Sequence, residues 1–80
     1  MDEQLYGNII NEINKHKEEI ASYATSSDID GLNNLILILK RKIKDTILKR
    51  KLTENEKEMI ETFIFQIFND KIKEASAGER

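Results

Sequence analysis

The chain has 80 residues, with 13 Lys and Arg against 15 Asp and Glu, no Cys and no Pro, and a net charge of −2. That length makes one small domain, which buries a modest share of its surface and needs very regular packing or a partner subunit. The lack of cysteine excludes disulfides, thiolate metal sites and a Cys nucleophile, and the near-neutral charge gives no global sign of nucleic-acid binding.

The opening residues, MDEQLYGN, carry no basic segment followed by an apolar stretch, so no secretory signal is expected. The longest apolar run, Leu35–Leu39, is far too short to span a bilayer. A cytoplasmic, soluble protein is the expectation. The first periodic segment runs over about 3–23. Leu5, Ile9, Ile13, Ile20 and Tyr23 recur at spacings that place them on one helical face, with Tyr6 and Ile10 beside them. Asp2 is a candidate N-cap. Residues 24–31, ATSSDIDG, are small, polar and rich in capping side chains, which predicts a loop. Ser27, Asp28 or Asp30 could open the next helix.

The second helix is predicted over about 29–51, with Leu32, Ile36, Leu39, Ile43 and Ile47 on one face. Leu37 and Leu48, eleven positions apart, form a thinner stripe roughly opposite, and Ile38 falls on a further side. The stretch LKRKLTENEKEMI then switches sign from basic to acidic at Thr53. Thr53 followed by Glu56 is the Ser/Thr-x-x-Glu capping box, with cations where a helix ends and anions where one begins. Leu52 precedes the cap, but Lys57 stands where an apolar partner for it would be expected. The third helix is predicted over about 54–75, with Ile60, Phe63, Ile64, Ile67, Phe68 and Ile72 facing inward and Phe65 at the edge. Residues 76–80 read as a disordered polar tail with a helix stop at Gly78. The expected fold is therefore all-α: a single antiparallel three-helix bundle over 1–75, open to completion by dimerisation.

Three features bear on function. Lys40, Arg41, Lys42, Lys44, Lys49, Arg50 and Lys51 share the second helix with one acid, Asp45. This gives a net +6 over 32–52 between flanks of −5 and −3. Lys40, Arg41, Lys44, Lys49, Arg50 and Lys51 are the candidate basic surface. The competing reading is a helix neutralised by its acidic neighbours. A helix-turn-helix would present Glu54, Glu56, Glu58 and Glu61 to phosphates, which is the wrong charge, so nucleic acid is disfavoured as a partner. His16 shares a face with Glu12 and Glu19. It is the sole histidine, however, and continues the apolar stripe, so a residue at the core edge is expected and no metal. The surplus apolar positions Leu37, Ile38, Leu48 and Phe65 are candidates for an interface with another protein or a second copy of the chain. No phosphate loop or Ser/His/Asp pattern points to an enzyme or a cofactor.

From Asn33 onward the chain resembles the C-terminal half of the pediocin-like (enterocin A type) bacteriocin immunity proteins, and with the compatible helix around Ile9 to Ile20 the resemblance covers about two-thirds of it. Those proteins have a long apolar helix, a basic joint and a leucine-threonine-x-glutamate start to a final helix; Leu52, Thr53, Glu56 and Ile60 correspond to that start. Members carry a fourth helix, where the periodicity here supplies three. The resemblance implies a cytosolic bundle that protects a bacterium by engaging a bacteriocin-bound membrane receptor. It implies no catalysis and only indirect contact with the membrane.

Overall fold

The periodic segment expected over 3–23 does not form one helix. The structure is a computed structural model that describes residues 3–77, with side chains over 3–74. It splits this segment into α1 (Glu3–Asn14) and α2 (Lys17–Ser26). At the break the His16 amide donates to the Ile13 carbonyl at 3.0 Å, a three-residue closure, and His16 takes φ −103°, ψ 14°. No Gly or Pro marks the spot. Ile13 and Ile20 are seven positions apart, which fits an unbroken helix as well as this one, so periodicity alone does not reveal the bend. Asp2 lies outside the described residues.

α2 ends in a reciprocal cap. Ser27 adopts the left-handed conformation at φ 56° and donates to the Ala24 carbonyl, while the Asp28 amide donates to that of Tyr23 at 2.9 Å. This is the Schellman closure without its usual glycine. Asp28 then opens α3 (Ile29–Lys42), its Oδ1 accepting from the Gly31 amide at 2.9 Å. A side chain at Gly31 would place its Cβ 2.5 Å from Asp28 Oδ2 and 2.7 Å from Tyr23 Cε1, whereas nothing lies within 4 Å of the same atom at Gly7. Gly31→Ala should therefore destabilise by about 1 kcal/mol by displacing the cap. Gly7→Ala should stabilise by roughly 0.5–1 kcal/mol through helix propensity. Thermal melts of the two variants should move in opposite directions.

The second predicted helix is also modified. Beyond Lys42 the chain widens into a π-helical segment, Ile43–Leu48, and stops at Lys49, which is left-handed at φ 56°. Thr46 Oγ1 donates to the Lys42 carbonyl at 2.7 Å inside this turn. A π turn advances the chain less per residue than an α turn and so rotates later side chains around the axis. That rotation accounts for Leu48, which packs half-buried against the core instead of sharing an exposed stripe with Leu37. The last helix, α4, is Glu54–Ala77. It includes Ser76 and Ala77, which were expected in the polar tail; Gly78–Arg80 lie outside the described residues.

The chain is thus all-α, with four α-helices where three were expected and no strand among the described residues. α4 packs chiefly on α2 and also meets α1 and α3, while the π-helical turn packs on α1. Between them lie Ile9, Ile13, Ile20, Leu32, Leu39, Ile43, Ile60 and Ile64, all essentially inaccessible to solvent. Each such side chain stabilises by roughly 1.5–3 kcal/mol relative to exposure. Leu35, Ile36, Ala24 and Phe68 complete this core, and Tyr6 stacks edge-on against Phe63 at 5.8 Å. Ile72, expected inside, is 39% exposed. None of the helices over the described residues is long and apolar enough to cross a membrane.

Candidate binding surface at the α3–α4 joint

The sign change at Thr53 is built as the capping box requires. The Thr53 amide donates to Glu56 Oε1 at 2.8 Å, and the Glu56 amide donates to Thr53 Oγ1 at 3.1 Å. Arg50 adds a second layer. Its Nη1 and Nη2 donate to the two Glu56 carboxylate oxygens at 2.8 and 2.7 Å, and Nη1 also donates to the Lys51 carbonyl. The Glu56 side chain is buried, while that of Arg50 is half exposed. The Arg50 guanidinium, helped by the Thr53 hydrogen bonds, holds the Glu56 carboxyl at about 2 despite burial. Glu56 in turn pushes Arg50 further up. This forked pair pins the segment between Lys49 and Thr53 against the first turn of α4.

The basic helix divides into two populations. Three of its cations meet acids of the flanking helices: Arg50 with Glu56, Lys40 with Glu61 at 2.9 Å, and Lys42 with Glu12 at 2.9 Å. Glu12 is 7% exposed, and the Lys42 ammonium beside it lowers its pKa against the opposing effect of burial. The Lys42 ammonium, 2.9 Å from Glu12 Oε2, offsets that burial. Lys44 has only its neighbour Asp45, at 3.6 Å. Among the described residues Arg41, Lys49 and Lys51 form no ion pair, and all three are exposed. Neutralisation by the acidic flanks is therefore real but partial: it leaves out Arg41 on α3 and Lys49 and Lys51 in the segment after the π-helical turn.

The surface around these cations is concave. Lys40, Arg41, Lys44, Lys51, Leu52 and Lys57 line a hollow of about 290 Å³, and Lys44, Asp45, Lys49, Arg50 and Lys51 line a second beside it. Lys57 is the member that sequence reasoning left out of the basic surface. The available signal was its place where an apolar partner for Leu52 was expected: it lines the same hollow as Leu52, with its charge at the rim.

The apolar candidates separate. Leu37 and Ile38 are 63% and 58% exposed on α3. Leu37 and Arg41 lie one turn apart on the same stripe. Leu48 is turned inward, as described above. Phe65 is 38% exposed on α4, where it lines a trough of about 770 Å³ with Glu58, Thr62, Gln66 and Asn69. Every residue of that trough belongs to α4, so it is one face of a helix with no groups converging from elsewhere. Ile29, 50% exposed, was not foreseen as a surface residue.

His16 stands between two carboxylates without gathering them. Glu12 Oε2 is 3.6 Å from its Nε2, and Glu19 Oε1 is 3.2 Å from its Nδ1, at separate edges of the ring. Among the described residues no group of three or more His, Cys, Asp or Glu could hold a metal ion. Compared with family models, curated proteins and solved structures, the chain finds no match.

Proposed function

We propose that the protein is a non-enzymatic helical bundle that acts by binding another protein through the exposed side of α3. The observation that carries this reading is the neighbouring pair Leu37 and Ile38, more than half exposed, with Arg41 one turn further along and Lys44 beyond it. An apolar contact bordered by cations that lack strong partners fits a segment presenting apolar residues beside acidic ones. The narrower reading is a cytoplasmic bacteriocin immunity-type protein. It is supported by the residues Leu52, Thr53, Glu56 and Ile60 at the start of α4, and by the fourth helix that the bend at His16 creates.

The test is protection. Sensitive bacteria expressing the chain should survive a pediocin-like peptide, and the double variant Leu37→Glu, Ile38→Glu should lose that protection while keeping its helical signal and melting temperature. Absence of protection by the wild-type chain removes the immunity reading. Dimerisation is the other way to cover the patch. Light scattering across a dilution series should show a monomer. A dimer dispersed by Leu37→Glu would assign the patch to a second copy and end the foreign-partner reading. A second reading, a small phage- or plasmid-type regulator binding a host protein or nucleic acid through the basic second helix, is favoured only by Arg41, Lys49 and Lys51, which form no ion pair among the described residues. Duplex binding that falls steeply with salt would be its sign.

A further inference from the structure

We propose that the hollow at the α3–α4 joint is a site for a phosphate-bearing anion. Five of its six lining residues are cations, Lys40, Arg41, Lys44, Lys51 and Lys57, and none is an acid. They come from α3, the π-helical turn, the connecting segment and the first turn of α4, and the turns of the chain between Lys40 and Lys57 bring them to one hollow. Three have an acid outside the lining: Lys40 has Glu61, Lys57 has Glu54 at 3.3 Å, and Lys44 has Asp45. Among the described residues Arg41 and Lys51 have none.

Like charges held on one concave wall repel, and neither Arg41 nor Lys51 returns a compensating contact to the fold. A bound anion would remove that repulsion. One carboxylate would leave most of the charge unbalanced. A phosphate group brings about two negative charges and three acceptor oxygens. Lysines meet it as point charges and an arginine meets it as a fork. The hollow, about 290 Å³ and open to solvent, has room for a phosphate group. Leu52 supplies an apolar wall for whatever carries the phosphate. The site shares Arg41 and Lys44 with the proposed partner surface but uses neither Leu37 nor Ile38, so Lys51→Gln and the Leu37/Ile38 variants tell the two apart.

Calorimetric titration of the full chain with inorganic tripolyphosphate at constant ionic strength tests it, with phosphatidylglycerol vesicles and a short DNA duplex as parallel arms. Saturable binding is expected, weakened roughly tenfold by Arg41→Gln and again by Lys51→Gln. Lys73→Gln, an exposed cation on the trough side of α4, should bind like the wild type. Without ligand, the Arg41 and Lys51 variants should melt at or above the wild-type temperature, which separates lost binding from lost folding. Binding of tripolyphosphate assigns a soluble phosphate, and binding of vesicles alone assigns a lipid headgroup; both uphold the site. No saturable binding in any arm, binding weakened equally by Lys73→Gln, or binding of the duplex alone would overturn it.

Discussion

Glu56→Gln should cost the fold about 2–3 kcal/mol at neutral pH, and the cost should vanish in acid. The carboxylate accepts from both arms of Arg50 and from the Thr53 amide, at 2.7–2.8 Å. Glutamine preserves the shape but offers a donor where a second acceptor is needed, and it carries no charge. The folded state holds the Glu56 carboxyl at about 2, against 4.5 for the free group. A lowered folded pKa means that the unfolded chain binds the proton first as pH drops. The stabilisation is therefore complete above about 4.5 and is lost as pH falls toward 2. A shift of that size corresponds to about 3 kcal/mol, reduced somewhat because solvent screens the half-exposed guanidinium. Urea unfolding of both proteins from pH 7 to pH 2.5 isolates this group from the other carboxylates, since only the difference between the two curves matters. Parallel curves, or equal stability at pH 7, would show that the forked pair does not form in solution.

Leu39→Ala should cost about 2–5 kcal/mol through the lost burial and the cavity left behind, while Leu37→Ala should change stability by no more than about 0.5 kcal/mol. The two leucines are two positions apart on α3, one inaccessible and the other 63% exposed. A domain of this size holds roughly 4–12 kcal/mol in total, so the first variant should sit near its unfolding threshold at 37 °C. Denaturant midpoints for the pair measure which face of α3 the core claims. Similar losses at both positions would mean that Leu37 is covered in solution, which would put a second copy of the chain over it.

The features legible from sequence were those set by side chains within four residues of each other. The Thr53–Glu56 box and the core face from Leu32 through Ile43 follow from spacing and chemistry that tertiary structure leaves unchanged; for the α3 cap the sequence left Ser27, Asp28 and Asp30 open, and Asp28 takes the role. The bend at His16 and the π turn after Lys42 are different. Neither has a glycine or proline, and both lie where the chain turns to pack on elements distant in sequence, α2 against α4 and the π-helical turn against α1. Leu48, whose angle on an ideal helix is outward, is carried in by the wider turn and packs against the core. The basic surface was half legible. Counting charges predicted that the acidic flanks would absorb it, which holds for Lys40, Lys42 and Arg50. Which cations the flanks would miss depends on which side of α3 the neighbouring helices occupy, and periodicity does not report that.

The separation of the unpaired cations from the acidic helices gives the molecule an electric moment that its net charge conceals. With a pI near 5.4 it migrates as an anion, yet an anionic surface within about a Debye length meets the joint first. Ion exchange should report this directly. At neutral pH and low salt the protein should be retained on resins of either sign, each holding it by an opposite end, and an assignment of acidic character from bulk behaviour alone would misjudge how it approaches anything it binds.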